Sequence, residues 1–389
     1  MNISIIGNSI AESATLKLNE TFTLLKAKGE SVIHLGGGEP KSKAPASAVD
    51  AATEFLKGAE VRYSPASGTL EMKKAVVNYM NDYYERQFDT ANVVVSSGAK
   101  QALMVAMQTI LNPGDEMLFP APYWVSYPEM VKLTGAVPVP FRPKSATLIP
   151  AMEDIEPLVN AKTKGIILNS PNNPSGVQYP ENFIKRIVDF AEKNGIYLLM
   201  DDIYHRLLFD GKRHVNVYDF ISKPLEESKV IVINGVSKSY AMTGFRIGWA
   251  VAGKTLCKVM GNIQGHQTAG PSILLQKAAA AAINGDQSDV DKLRETLQHN
   301  RNVMIEKLDM IPGVKYTKPA GTFYVFADFS KYENDSQKLS HFLLEKARVL
   351  TMPGVAFGLD GYLRLSYCGS VSDIVEGMDR IKVALEKYL

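Results

Sequence analysis

A lysine and an arginine stand eight residues apart in the segment 235–248, whose sequence is GVSKSYAMTGFRIG. The apolar run 230–233 precedes this segment and predicts a buried strand that ends in a turn of small residues. A lysine at such a strand end, Lys238, can form an imine with an aldehyde cofactor. The guanidinium of Arg246 can grip a phosphate on the same molecule. The segment therefore indicates chemistry with a phosphorylated aldehyde.

Other polar residues also follow predicted strands. Apolar runs predict strands at 92–95, 116–119, 165–168, 196–200, 230–233 and 249–252. Helical patterns at 71–85, 100–111, 182–193 and 276–283 alternate with them, which predicts an α/β fold with a mostly parallel sheet between helices. Ligands bind beyond the carboxyl ends of strands in such sheets. Unusual polar residues follow every one of these runs except the last, and we expect them to meet at one site.

The first two strands are followed by a small-residue turn and by an aromatic residue. Ser96-Ser97-Gly98 leads into a helix, whose first N–H groups, near Gly98, Ala99 and Lys100, could bind an anion. An ordinary serine-capped helix is the alternative. Trp124 follows the next strand and could stack on a pyridine ring, or could simply belong to the core.

The next strands are followed by an asparagine and an aspartate. Asn173 lies in the sequence NSPNNPSG, where two X-Pro steps predict an enforced turn and permit a cis bond at Asn173-Pro174. A turn of proline and asparagine without a function is the alternative. Asp201 follows 196–200, and a carboxylate there could keep a pyridine nitrogen protonated, with a helix-capping acid as the alternative. Strand alternation predicts that its neighbour Asp202 points elsewhere.

The last third of the chain predicts a smaller α+β domain. It contains a one-sided helix at 289–308, short strands at 322–327 and 362–366, and a helix at 372–388. We predict a large domain at 46–288 and a small one built from 1–45 and 289–389. Arg364, on the alternating strand, needs an anionic partner. A substrate carboxylate bound in bidentate fashion or a buried ion pair would supply it.

Composition narrows the class of protein. The 389 residues are 46% hydrophobic, and 43 Lys and Arg balance 41 Asp and Glu to a net charge of +2. The sequence lacks a basic block, which argues against nucleic acid and membranes as partners. It also lacks a signal peptide and a disulfide framework, so we expect a cytoplasmic protein. No metal site is predicted.

Taken in order, these segments resemble class I pyridoxal-phosphate aminotransferases of the aspartate aminotransferase superfamily, closest to the bacterial aspartate-type branch. The resemblance runs from Gly38 to Arg364. It implies a seven-stranded sheet, pyridoxal 5'-phosphate as cofactor, and transfer of an amino group between an L-amino acid and a 2-oxo acid. The glutamate/2-oxoglutarate pair, with aspartate or another amino acid, is the expected substrate set.

The resemblance also implies residue roles. Lys238 would hold the cofactor and move the substrate proton, with Asp201 at the ring nitrogen and Tyr204 at the ring hydroxyl. Arg364 would bind the substrate carboxylate. Further positions are implied by the same likeness: Trp124 on the ring, Asn173 between ring hydroxyl and substrate, Arg246 with 98–100 at the phosphate, Gly38 in a segment that closes over substrate, and Tyr63 reaching the phosphate of a neighbouring subunit in a homodimer.

Some positions depart from the pattern. Gly235 stands where many members have a phosphate-binding serine, which Ser237 could replace. Glu12 and Gln264 lie near places where some members carry basic residues for an acidic substrate, and His266 is a weak substitute. These departures leave aspartate, aromatic, alanine-type and broad specificity open.

Two other functions share much of this sequence pattern. A pyridoxal-phosphate C–S β-lyase would use the same lysine but eliminate from the β-carbon. A non-enzymatic cofactor-binding regulator usually adds a DNA-binding domain, for which the chain shows no basic patch. A nicotinamide-dependent dehydrogenase is disfavoured, because Gly-x-Gly-x-x-Gly does not follow the first strand.

Overall fold

The computed structural model describes residues 2–388. The helices in this range are α1 (Ile5–Ser9), α2 (Ala14–Ala27), α3 (Ala46–Lys57), α4 (Leu70–Tyr84), α5 (Ala99–Ile110), α6 (Tyr127–Leu133), α7 (Met152–Ile155), α8 (Glu181–Asn194), α9 (Lys254–Thr268), α10 (Ile273–Asn284), α11 (Ser288–Asp309), α12 (Ser336–Ala347) and α13 (Val371–Leu385). The strands are β1 (Ile33–His34), β2 (Val93–Ser96), β3 (Glu116–Pro120), β4 (Val137–Phe141), β5 (Thr163–Asn169), β6 (Tyr197–Asp201), β7 (Val230–Gly235), β8 (Gly248–Val251), β9 (Lys315–Tyr316), β10 (Tyr324–Asp328), β11 (Val349–Leu350), β12 (Met352–Pro353) and β13 (Tyr362–Ser366).

The largest sheet has seven strands in the order β2-β8-β7-β6-β5-β3-β4. Strand β8 runs antiparallel to both of its neighbours, and the other neighbouring pairs are parallel. This arrangement confirms the predicted α/β fold with a mostly parallel sheet. It also aligns the carboxyl ends of β3, β5, β6 and β7 along one edge, as the site prediction requires.

The strand β4 was absent from the sequence prediction. Its sequence is Val-Pro-Val-Pro-Phe, and it pairs only with β3 at the edge of the sheet. Proline lacks the N–H that a central strand needs, but an edge strand tolerates it because one side of the strand has no partner. The two prolines therefore explain why the hydrophobic pattern of the sequence did not predict this strand.

Buried side chains from alternate strand positions cover the two faces of this sheet. In β2, Val94 joins the cluster that packs under α5 and α9, whereas Val93 and Val95 join the cluster under α4, α8 and α10. Helix α8 shows why such segments are helical: its buried residues recur at one-turn spacing, and Gly195 ends it with φ +64°.

The last third of the chain contains a second, smaller sheet with its own helices. Its four-stranded sheet has the order β12-β13-β10-β9 and packs against α11, α12 and α13. Strand β1 pairs in parallel with β11, which joins the N-terminal segment to this region. The division into 46–288 and 1–45 with 289–389 stays a prediction. Over residues 2–388, no helix has the length and apolar character needed to cross a membrane.

Candidate active site

A cleft of about 310 Å³ lies beyond the carboxyl ends of the large sheet and faces β13. Most of the residues singled out from the sequence line it together. These are Gly38, Ala99, Lys100, Trp124, Asn173, Asp201, Tyr204, Ser237, Lys238, Arg246 and Arg364. Gly98 lies directly behind Arg246. Tyr63 lies outside the cleft, with 92% of its surface exposed.

Lys238 follows β7 and points into the cleft. Its Nζ donates to the carbonyl oxygen of Gly38 at 2.7 Å and lies 5.6 Å from the centre of the Phe323 ring. Burial, reinforced by the positive charge of Arg364, lowers the pKa of this amine to about 8. The neutral fraction of this amine near physiological pH is therefore larger than that of an ordinary lysine, which favours a role as nucleophile and base.

The N-terminus of α5 and the side chain of Arg246 form one cationic corner. Gly98 caps the helix with φ +88°, and a Cβ atom there would lie 2.5 Å from Nη2 of Arg246. Only glycine allows this close approach without strain. The first N–H groups of α5, at Ala99 and Lys100, have no partner within the helix. Together with the guanidinium they suit a phosphate group.

Asp201 ends β6 and is buried at the floor of the cleft. Its Oδ2 accepts a hydrogen bond of 2.7 Å from the phenol of Tyr127. Burial raises the pKa of Asp201 to about 6, and the hydrogen bond from Tyr127 opposes this rise. Asp202 points to the opposite face, as alternation predicts, and accepts a hydrogen bond from Tyr84 at 2.9 Å.

Two asparagines hold the loop after β5 against Asp201. The cis peptide Asn173-Pro174 lies in this loop. The backbone N–H of Asn173 donates to Oδ1 of Asn169 at 2.7 Å, and Nδ2 of Asn169 donates to the carbonyl oxygen of Asp201 at 2.6 Å. Asn169 was not predicted, although its position at a strand end was a signal for it.

Arg364 is a buried cation on β13. Its guanidinium donates to Oδ1 of Asn173 at 3.0 Å and to the carbonyl oxygen of Gly36 at 2.8 Å. The group lies between the rings of Tyr324 and Phe357, and its Nε has no hydrogen-bond partner among residues 2–388. Within residues 2–388 its hydrogen-bond partners are a side-chain amide and a backbone carbonyl oxygen, not the carboxylate that a structural ion pair would need. A buried cation of this kind calls for an anionic ligand.

Comparisons with known proteins agree with this geometry. Residues 30–381 match the model of the family "Aminotransferase class I and II". The chain is 36% identical over 387 residues to aspartate aminotransferase of Bacillus subtilis, with 98% of each chain covered. It is 36% identical over 382 residues to the probable aspartate/prephenate aminotransferase of Aquifex aeolicus, with 96% of each covered. The crystal structure of aspartate aminotransferase from Thermotoga maritima superposes with a TM-score of 0.92 at 33% identity, covering 99% of this chain and 100% of that one. The chain belongs to this family.

As a member of the family, the protein is a pyridoxal-phosphate-dependent aminotransferase. The cleft fits that cofactor. Lys238 would offer its amine to the aldehyde, Arg246 a cationic corner to the phosphate, and Asp201 a carboxylate to the ring nitrogen. Trp124 also lines the cleft.

Two tyrosines that the sequence did not single out support the predicted residues. Tyr127 lies beneath the cleft floor and contacts Asp201. Tyr324 lies between three predicted positions: its hydroxyl is 3.5 Å from that of Tyr204, its ring stacks on Arg364, and a Cβ atom at Gly38 would lie 3.2 Å from its oxygen. An isolated tyrosine gives no signal in a single sequence, so neither could be predicted.

The structure also explains the positions that depart from the family pattern. Gln264 is buried outside the cleft lining, where its Nε2 donates to the carbonyl oxygens of Ala66 and Val95. His266 is exposed on α9, and Glu12 is exposed and pairs with Lys17 at 3.2 Å. Glu12, Gln264 and His266 do not line the cleft, although Ser13 and Thr15, which follow Glu12 in the sequence, do.

Gly235 has a structural reason to lack a side chain. A Cβ atom there would lie 2.9 Å from both the carbonyl oxygen of Ile247 and the Cα atom of Gly248. A serine would therefore require the backbone of β8 to shift. Ser237, two residues later, lines the cleft and offers a hydroxyl on the same loop.

Proposed function

We propose that this aminotransferase exchanges amino groups between acidic L-amino acids, aspartate or glutamate, and their 2-oxo acids in a ping-pong cycle. The observation that carries the proposal is the buried guanidinium of Arg364, which pairs with no carboxylate in residues 2–388 and faces the same cleft as the amine of Lys238, whose pKa is lowered. The guanidinium suits binding of a substrate carboxylate, and the amine suits transfer of the proton from the adjacent Cα atom.

The geometry of the cleft supports a set of proposed cofactor-binding roles. Bound pyridoxal phosphate supplies an aldehyde that accepts the amino group and a protonated ring that withdraws electrons. Lys238 holds the aldehyde carbon, and Arg246 with the N–H groups of 98–100 holds the phosphate. Asp201 opposes the ring nitrogen. The remaining contacts with the ring are proposed for Trp124 at its face, Tyr204 and Asn173 at its hydroxyl, and Ser237 near the phosphate.

Substrate orientation and proton transfer are assigned to three groups. The fork of Arg364 binds the α-carboxylate in bidentate fashion, and the amide of Asn173 adds a further hydrogen bond. The amine of Lys238 then removes the Cα proton and returns it one step later, as base and then acid. The segment around Gly38, which already accepts a hydrogen bond from Lys238, closes over the substrate.

We infer a preference for acidic substrates from one cation in the cleft to which no other role is assigned. Within the part of the chain that the structure describes, four cationic side chains line the cleft: Lys100, Lys238, Arg246 and Arg364. Three of them are assigned above to the aldehyde, the phosphate and the α-carboxylate. The ammonium of Lys100 remains, 4.9 Å from the ring centre of Trp124, and we assign it to the second carboxylate of the substrate.

A homodimer is part of the proposal. Tyr63 is the implied partner of a neighbouring phosphate, and its almost full exposure in the single chain leaves it available for such a contact. Exposed Val61 and Leu70 lie nearby in the sequence and add apolar surface. Twofold dimers are the commonest soluble oligomers. A cytoplasmic location stays a prediction.

The substrate assignment is tested by kcat/KM for a panel of amino acids with Lys100→Met. We expect the variant to lose roughly 10- to 100-fold for aspartate and glutamate but little for alanine, since one charge-assisted contact disappears. Lys73→Met, on α4 and outside the cleft, is the control. Equal losses for all three substrates would contradict the role of Lys100. Ammonia and pyruvate formed from cysteine conjugates would instead indicate the β-lyase.

A further inference from the structure

One tyrosine beneath the cleft contacts two of its functional side chains. Tyr127 is the first residue of α6 and is buried. Its phenol donates to Oδ2 of Asp201 at 2.7 Å. Its ring meets the indole of Trp124 at 89°, with the ring centres 5.5 Å apart. The residue thus joins the carboxylate assigned to the ring nitrogen to the aromatic assigned to the ring face.

The surroundings fix this tyrosine in place. Its backbone N–H donates to the carbonyl oxygen of Trp124 at 2.9 Å, and its ring packs against Phe119. It is not part of the cleft lining, so it can influence the reaction only through its neighbours. We propose that Tyr127 is a positioning residue that keeps the carboxylate of Asp201 ionised and aimed at the cofactor ring. This inference rests on the role proposed for Asp201.

The groups around Asp201 determine whether loss of the Tyr127 phenol raises or lowers the pKa of this carboxylate. Burial and the like charge of Asp202 favour the protonated form, whereas the hydrogen bond from Tyr127 and the charge of Lys238 favour the ionised form. Tyr204 also faces this carboxylate. Loss of the phenol therefore raises the pKa of Asp201 above about 6. An acid whose pKa rises loses its charge at a higher pH, so cofactor binding that needs the carboxylate weakens earlier on acidification.

The test measures the affinity of the apoprotein for pyridoxal phosphate between about pH 5 and pH 8. For Tyr127→Phe we expect the acidic loss of affinity to move up by about one to two pH units, and kcat to fall roughly 10- to 100-fold. Tyr218→Phe is the matched control, because Tyr218 is equally buried and donates to the carbonyl oxygen of Val251 at 2.8 Å, away from the cleft. We expect it to keep the wild-type pH profile.

A second substitution covers the case in which the phenylalanine variant does not fold. Replacing Tyr127 with 3,5-difluorotyrosine retains the shape and makes the phenol a stronger donor. Burial and the neighbouring carboxylate raise the pKa of Tyr127, which keeps the phenol protonated. We expect the acidic loss of affinity to move to lower pH, opposite to the phenylalanine variant. An unchanged profile in either folded variant would overturn the inference.

Asp201→Asn separates this inference from the function on which it rests. We expect that variant to bind the cofactor weakly and without the acidic transition, and Tyr127→Phe to add no further shift to it. If Tyr127→Phe weakens binding equally in both backgrounds, Tyr127 does not act through Asp201. If Asp201→Asn binds with the wild-type affinity and pH profile, the role proposed for Asp201 itself fails.

Discussion

Replacement of Arg364 by lysine is the most informative single substitution. Lysine keeps the positive charge but cannot present two parallel N–H donors to one carboxylate. In the structure, the guanidinium is held by Asn173 and Gly36 and stacked on Tyr324 at 4.2 Å, so the fork is already oriented before a substrate arrives. The substitution therefore removes both the geometry and its preorganisation.

The expected fall in kcat/KM follows from the number of hydrogen bonds to the substrate carboxylate that are lost. Each hydrogen bond to a charged group contributes about 1.5–3 kcal/mol, so loss of one of two predicts a fall in kcat/KM of roughly 10- to 100-fold. Loss of both in Arg364→Leu predicts roughly 10²- to 10⁴-fold. The effect should be largest for amino acids and small for amines that lack the α-carboxylate.

The assay is steady-state kinetics with aspartate and with its decarboxylated analogue. Arg301→Lys is the control, since Arg301 is also buried but binds Asp210 outside the cleft. We expect that change to lower stability and leave kcat/KM for the folded enzyme near wild type. An Arg364→Lys enzyme that retains kcat/KM for aspartate within about threefold would refute the reasoning.

Three further predictions follow from named contacts. Gly98→Ala should weaken cofactor binding in an equilibrium titration far more than the control Gly114→Ala. Both glycines have a positive φ, but only a Cβ atom at position 98 would contact Arg246. Equal effects of the two substitutions would indicate backbone strain alone. The rate at which Lys238 captures the cofactor should rise from pH 7 and level off above its pKa of about 8, and a midpoint near 10.5 in stopped-flow absorbance would contradict this. Coexpression of Lys238→Ala with Tyr63→Ala should restore cofactor-loaded activity towards a quarter of wild type if Tyr63 acts across a dimer, and no recovery would place its role within one chain.

Local sequence patterns predicted the elements that carry most of the candidate site. Apolar runs placed β2, β3, β5, β6 and β7 within a few residues of their ends, and the residues just beyond these strands line the cleft. Alternation along β6 also separated Asp201 from Asp202. These inferences succeed because they depend on periodicity and on the direction of strands in a parallel sheet.

The parts that the sequence did not predict depend on packing between distant segments. The phenol of Tyr127 meets Asp201 from a helix 74 residues away in sequence. Helix α2 was missed because it has no fully buried residue and therefore no clear apolar stripe, although Ser13 and Thr15 at its start reach the cleft. The contact of Arg364 with Gly36 spans 328 residues, and no local pattern encodes it.

The most direct test of the proposed function is a half-reaction followed by absorption. The purified protein is loaded with pyridoxal phosphate and titrated with L-aspartate and then with 2-oxoglutarate. We predict that aspartate abolishes the visible band of the bound cofactor, that 2-oxoglutarate restores it, and that Lys238→Ala shows neither change. A band that persists with saturating aspartate and glutamate would contradict transfer from acidic amino acids, and a wild-type response in Lys238→Ala would contradict the role of the lysine.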